Sequence, residues 1–269
     1  MTGNILDKFR LNGKTAIVTG GNTGLGFDMA SALAQAGADV ILTSRSEQRA
    51  KEAAERIAAS YGVRTMGFEM DQRYYASVEK MAKNAFQFNN RIDILVNNAG
   101  GGAGLSDGDF IAREVETMAD MIAINLTGVL YCCKAVSKYM VMQRYGRIVN
   151  IASVAGMIGR DRKIYKDNGR NQQPVEYAAA KGGVISMSRD LAAYLAPAGV
   201  CVNSLSPGLF NKGELSEGFD RDASAKIMKG RTGKLNSDIM GPILFLCSDA
   251  AEYITGHNLV VDGGFTVFK

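Results

Sequence analysis

Lys14-Thr15-Ala16-Ile17-Val18 runs directly into Thr19-Gly20-Gly21-Asn22-Thr23-Gly24-Leu25-Gly26. The first five residues form a short, largely apolar and β-branched run, the pattern of a buried parallel strand. Beyond Gly26, apolar positions Phe27, Met29, Ala30, Leu33 and Ala34 read as a helix. Strand, glycine-rich turn and helix, in that order, place a pyrophosphate on the backbone N–H groups of a helix N-terminus. Glycines allow the tight turn and the close approach of phosphates. The spacing here is Gly-x-x-x-Gly-x-Gly rather than the Gly-x-Gly-x-x-Gly of the standard fingerprint. A plain βα turn is the competing reading, and the flanking strand and helix favour dinucleotide binding.

The same alternation continues along the chain. Strand patterns lie at 15–18, 40–43, 64–70, 94–97, 147–151, 200–205 and 259–261, with helical runs at 48–59, 75–88, 118–144, 174–195 and 238–246 between them. Apolar strands alternating with helices predict an α/β fold: a doubly wound, seven-stranded parallel sheet of Rossmann type covered on both faces. No linker, repeat or compositional shift interrupts 1–269, so a single domain is expected, with a cofactor half at about 11–150 and a catalytic half at about 151–269. Two polar, glycine-bearing stretches break the pattern, an insert at 156–174 and a candidate lid at 207–233. Loops of that length in a compact domain are usually functional or disordered.

Composition excludes several classes. Hydrophobic residues make up 46% of the chain, enough for a sizeable core. No apolar run approaches the ~18 residues of a bilayer span, and the N-terminus lacks the apolar region of a signal peptide. A cytoplasmic protein without a membrane partner is therefore expected. The net charge of +4 is too mild and dispersed to argue for nucleic acid. Cys132, Cys133, Cys201 and Cys247 form no Cys-x-x-Cys pattern and read as free thiols in a reducing compartment. The single His257 cannot build a metal site or a Ser-His-Asp triad alone and reads as a surface or helix-end residue; no metal is expected.

Tyr177-Ala178-Ala179-Ala180-Lys181 carries the chemistry. Residues four apart share one helix face. A cation beside a phenol favours the phenolate, so Lys181 is expected to lower the pKa of Tyr177 toward neutral pH. Ser153 follows the strand at 147–151, at the sheet edge where open α/β folds bind ligands. Asn125 sits inside a helical run, where its side chain competes with the backbone.

Thr19-Gly20-x-x-x-Gly24-x-Gly26, Asn97-Asn98-Ala99-Gly100, Asn125, Ser153, Tyr177-x-x-x-Lys181 and Pro207-Gly208 together resemble the short-chain dehydrogenase/reductase family. Thr255 to Gly264 is similar to that family's last strand. The resemblance runs from about Leu11 to about Thr266. It implies an NAD(P)-dependent oxidoreductase that interconverts a carbonyl and an alcohol. Tyr177 would be the general acid or base, and Lys181 would tune it and bind the nicotinamide ribose. Ser153 would bond the substrate oxygen, and Asn125 would hold a water of a proton relay. Gly20, Asn22, Thr23, Gly24, Leu25 and Gly26, with Asn98, Ala99, Gly100, Pro207, Gly208 and Leu209, would contact the cofactor. Asp71 would contact adenine, and Asn97 to Gly100 would line the adenosine side.

NAD needs a carboxylate at the end of the second strand, whereas NADP needs a cation. The chain has Ser44 and Arg45 there, which points to NADP, with NAD possible. Two features depart from the family pattern. Lys212 stands where Thr commonly holds the carboxamide, leaving Asn211 or backbone groups for that contact. Ser153 and Tyr177 are 24 positions apart, about twice the usual interval. The added segment carries Arg160, Arg162, Lys163, Lys166 and Arg170 against Asp161 and Asp167. This motivates an acidic small-molecule substrate, a sugar or sugar acid; a solvated flap or subunit contact is the plainer reading. The lid holds Glu214, Glu217, Asp220, Arg221 and Asp222, a polar composition that argues against long acyl chains. The alternatives are a 3-oxoacyl-[acyl-carrier-protein] reductase and a non-catalytic dinucleotide-binding sensor or scaffold. The resemblance also implies a homotetramer or homodimer, built on the long helices with Ala178, Ala179, Ala180, Gly182 and Gly183 allowing close packing.

Overall fold

Alternate residues of each strand enter opposite layers of the core, as the two-residue period of a strand requires. The computed structural model describes residues 3–101, 110–211, 213 and 215–268. Its strands are β1 (Thr15–Val18), β2 (Asp39–Ser44), β3 (Thr65–Glu69), β4 (Ile94–Asn97), β5 (Gly146–Ile151), β6 (Val200–Pro207), β7 (Phe210–Asn211), β8 (Gly233–Lys234) and β9 (Asn258–Val261). Seven of them form one sheet in the order β3-β2-β1-β4-β5-β6-β9, and β7 pairs with β8 apart from it. Every pairing in the large sheet is parallel. Ala16, Val18, Val40, Leu42, Ile94 and Val96 pack on one face; Ile17, Ile41, Leu95 and Ile148 pack on the other. Both faces are apolar because both are covered by helices.

The helices are α1 (Gly24–Gln35), α2 (Glu47–Tyr61), α3 (Tyr75–Asn89), α4 (Val115–Ile122), α5 (Gly128–Gln143), α6 (Arg162–Asp167), α7 (Val175–Leu195), α8 (Glu217–Ser224) and α9 (Met240–Cys247). Met29 and Leu33 of α1 join Ile243 and Leu246 of α9 on the first face. Val78 of α3, Val136 of α5 and Val184 of α7 cover the second. Strand order reverses between β1 and β4, which opens a crevice at the strand C-termini where ligands bind in such sheets.

Three expectations need correcting. The helical run at 118–144 is not one α-helix: a π turn, Ala123–Thr127, separates α4 from α5. The run Val115–Gln143 is long and apolar enough by length and composition to cross a bilayer. Its α5 instead packs on the sheet through Val129, Cys132, Val136 and Met140. The insert and lid are also not plain loops. Asp161 caps α6 by accepting from the Lys163 N–H at 2.9 Å, and Ser216 caps α8 by accepting from the Phe219 N–H at 3.4 Å. The cysteines are free, with Cys132, Cys133 and Cys247 buried. His257 is exposed, as expected of a surface residue, and immediately precedes β9.

Candidate active site

The β1–α1 turn forms one wall of the crevice. Gly20 has a φ of +61°, and a Cβ there would stand 2.9 Å from the Ala99 Cα. A Cβ on Gly26 would meet the Gly20 oxygen at 2.3 Å. Glycine is therefore required at both positions by the close approach of α1 and the β4 loop. Thr19 ties these pieces together: its Oγ1 accepts from the N–H groups of Asn98 and Ala99, each at 3.0 Å. Asn98 Nδ2 returns bonds to the carbonyls of Thr19 and Gly20. Thr43 Oγ1 accepts from the Gly20 N–H at 3.3 Å.

The crevice opens into a cleft of about 1870 Å³, larger than the few hundred to about 1000 Å³ of a typical small-ligand pocket. Asn22, Thr23, Leu25, Ser44, Arg45, Asp71, Asn98, Ala99, Gly100, Pro207, Gly208 and Leu209 all line it. Gly24 does not; with a φ of +55° it makes the turn into α1. Asn97 is also absent from the lining, against expectation. It is buried, and its Nδ2 donates to Asn150 Oδ1 at 2.8 Å across the sheet. Arg73 takes the Asp71 carboxylate, with Nε donating to both oxygens at 3.1 Å and a terminal nitrogen to Oδ2 at 2.6 Å. That pairing holds the Asp71 carboxyl below the usual range and competes with an adenine contact. Arg45, Arg49 and Arg73 line the same end of the cleft.

At the other end, β5 and α7 bring Ser153, Tyr177 and Lys181 together. Ser153 caps a 3-10 turn, Val154–Gly156, through a bond from the Ala155 N–H at 3.1 Å. That turn packs on α7, where a Cβ on Gly156 would meet the Gly182 nitrogen at 2.5 Å. Gly183 likewise leaves room for Leu126. These small residues thus serve packing within the chain. The Lys181 ammonium donates to the Ile151 carbonyl at 2.7 Å and lies 5.8 Å from the Tyr177 ring centroid.

The expected lowering of Tyr177 is overturned for the protein without bound ligand. Burial raises it above the ordinary tyrosine value, opposed by a hydrogen bond with Ser153 and by the charge of Arg160. Burial also drives Lys181 down to about 8. A charge taken out of water is disfavoured whatever its sign, and here desolvation outweighs the neighbour.

Asn125 does not line the cleft. It is buried in the π turn, where its Oδ1 accepts from the Gly101 N–H at 2.9 Å and its Nδ2 donates to the Gly101 and Met121 carbonyls at 3.1 Å. Gln72 braces the same region by donating to the carbonyls of Ala99 and Ile124. Thr19 opens the glycine motif but has no contact assigned from sequence, and Thr43 and Gln72 are marked there only by their places beside the second strand's end and Asp71. Glu176, beside Tyr177, forms a buried ion pair with Arg113, and no motif signals it. Asn211, expected to contact the carboxamide, does not line the cleft; its amide donates to Asp220 and accepts from the Gly213 N–H. Lys212 and Glu214 lie outside the described residues.

The family model described as "Enoyl-(Acyl carrier protein) reductase" matches residues 20–266. The chain belongs to the short-chain dehydrogenase/reductase family. Within this family it is 37% identical over 260 residues to 3-oxoacyl-[acyl-carrier-protein] reductase FabG of Aquifex aeolicus, covering 96% of this chain and 99% of that protein. It is 32% identical to an NADP-dependent mannitol dehydrogenase of Hypocrea jecorina, covering 97% of this chain and 96% of that one. A gluconate 5-dehydrogenase from Burkholderia cenocepacia, solved with NADP and tartrate, superposes with a TM-score of 0.88 at 30% identity, covering 98% and 99%. The glycine cradle, the backbone donors of the α1 N-terminus and the arginines of the outer end fit the nicotinamide dinucleotide that this family uses.

Proposed function

We propose that the chain reduces a 3-oxoacyl thioester to the 3-hydroxy compound with NADP(H). The observation that carries the substrate class is the inner face of the lid. Its composition is polar, but between 215 and 227 the lid residues that line the cleft are the apolar Leu215, Phe219, Ala223 and Ile227 with Lys226 beside them, joined by Ile164 of the insert and Phe265. Glu217 and Arg221 face solvent, while Asp220 accepts from the Thr232 hydroxyl at 2.8 Å. The amphipathic lid reverses the argument from composition, because an apolar wall suits an acyl chain better than a sugar. The similarity to FabG supports the same reading.

When bound, the cofactor supplies the hydride. The Ser153 hydroxyl then donates to the substrate carbonyl oxygen and stabilises the charge that develops there. Tyr177 gives its phenolic proton to the same oxygen. Lys181 would hold the ribose hydroxyls of the bound cofactor and, by its charge, assist loss of that proton. Asn125 fixes the Gly101 backbone behind Lys181. Ser44 and Arg45 favour the 2′-phosphate of NADP over the ribose hydroxyl of NAD. Free, mostly buried thiols suit a reducing compartment such as the cytoplasm.

A second reading, an acidic sugar, is favoured by Arg160, Arg170 and Lys226, which line the cleft. Arg162 and Lys163, offered on sequence grounds for the same role, do not line it. Initial rates of NADPH oxidation with 3-oxoacyl thioesters of increasing chain length, beside keto sugar acids, decide between the two. The thioesters should be turned over, with kcat/KM rising about 3- to 4-fold per added methylene until the apolar wall is filled. Turnover of the sugar acids alone would replace this reading with the second.

A further inference from the structure

Arg160 opens the insert, yet its side chain turns inward. Its guanidinium donates to the carbonyl oxygens of Gln173 and Pro174, the second at 3.2 Å. Pro174 is the N-cap of α7, the helix that carries Tyr177. The same guanidinium lies 5.9 Å from the centroid of the Tyr177 ring. One side chain therefore ties the returning end of the insert to the start of the catalytic helix and sets a positive charge beside the phenol.

The groups that face Tyr177 come from three elements. Ser153 bonds it from the end of β5, and Tyr165 of α6 opposes its ionisation. On α7 itself Lys181 is near, but its ammonium is held by the Ile151 carbonyl. Glu176, next in the chain, is paired with Arg113. Arg160 supplies a charge that burial cannot remove at working pH, because a guanidinium stays protonated.

We infer that Arg160 is a positioning residue, which fixes the N-terminus of α7 and stabilises the ionised form of Tyr177 during proton transfer. The insert is then part of the proton-donating machinery rather than a solvated flap. The inference rests on the reading of Tyr177 as the proton donor.

The first readout needs no substrate. The chain has ten tyrosines and no tryptophan, so ultraviolet titration reports phenolate formation directly. The difference between a protein and its Tyr177→Phe counterpart isolates Tyr177. Arg160→Gln should raise the Tyr177 midpoint by about one pH unit, whereas Arg160→Lys should leave it within a few tenths of a unit. Arg160→Met, which keeps the aliphatic stem, replaces the Gln variant if that one does not fold. The alkaline limb of kcat/KM for NADPH-dependent reduction should move by the same amount. An unchanged midpoint in the neutral variants overturns the inference, as does an equal shift in the Lys variant, which would mean geometry without charge. A midpoint that moves in a protein reducing none of the substrates would leave the inference standing and sink the proposed function instead.

Discussion

Lys181 carries its ammonium into a site where it is almost wholly buried, and the consequence is measurable. The unfolded chain holds that proton up to about 10.5, while the folded chain releases it near 8. Between those values the unfolded state binds more protons, so stability rises with pH through this window. Lys181→Met should remove that rise. Denaturant unfolding of the cofactor-free protein should show wild type gaining on the variant from pH 8 to 10.5, by on the order of 3 kcal/mol at most. Parallel curves would mean that Lys181 is better solvated than its surroundings indicate. The pairing of Tyr177 with Lys181 was legible from their spacing, since i and i+4 share a helix face. The direction in which each group is shifted was not, because desolvation depends on what the rest of the chain brings to cover them.

The insert and the lid interlock across the mouth of the cleft. Asn168 Nδ2 donates to Asp222 at 3.0 Å, and Tyr165 packs edge-on against Phe219 at 5.1 Å between centroids. Arg170 lies 5.0 Å from the same ring, and Lys226 pairs with Asp161. The Asp161–Lys226 pair is nearly half exposed on both sides, so it contributes little, about 0–1 kcal/mol. Phe219 is buried, and its removal leaves a cavity between the two segments. Lys226→Ala should therefore change amide exchange in α6 and α8 little. Phe219→Ala should speed exchange in both helices together, by tenfold or more if about 1.4 kcal/mol of shared stability is lost. Loosening of α8 alone would show that the two do not act as one cover. The extra length of the insert could be read from the interval between Ser153 and Tyr177. Its six-residue helix could not, since so short a run has no periodicity to read and forms here against Phe219 of another segment.

Over the whole molecule, the cleft joins an arginine-lined outer end to an inner end where apolar lid residues stand beside Arg160, Arg170 and Lys226. Binding at the outer end should stabilise the entire fold, because the cradle is assembled from β1, α1, β2 and the β4 loop. A dinucleotide at 100 times its Kd adds about 2.7 kcal/mol, enough to raise Tm by about 5 °C or more in a chain of this size. NADPH should produce that shift at lower concentration than NADH, and Arg45→Ala should narrow the gap between them by about tenfold or more. Equal shifts for both cofactors in wild type would remove Arg45 from the discrimination.

The parallel sheet, its strand positions, the glycine turn and the Ser153–Tyr177–Lys181 set could all be read from sequence. The sheet, the turn and the Tyr177–Lys181 pair rest on local period or short spacing, which a linear pattern encodes; the role of Ser153 is what the family resemblance implies. Asn98, Ala99 and Gly100, after β4, are implied by the same resemblance. Which way Asn97 points, that Arg73 occupies Asp71, that Arg160 faces Tyr177 while Arg162 does not, and that a polar lid turns an apolar face inward were decided only by tertiary structure. Those outcomes depend on contacts between residues far apart in the chain, and on the free energy of removing particular groups from water. Neither is carried by composition or by the order of residues along one segment.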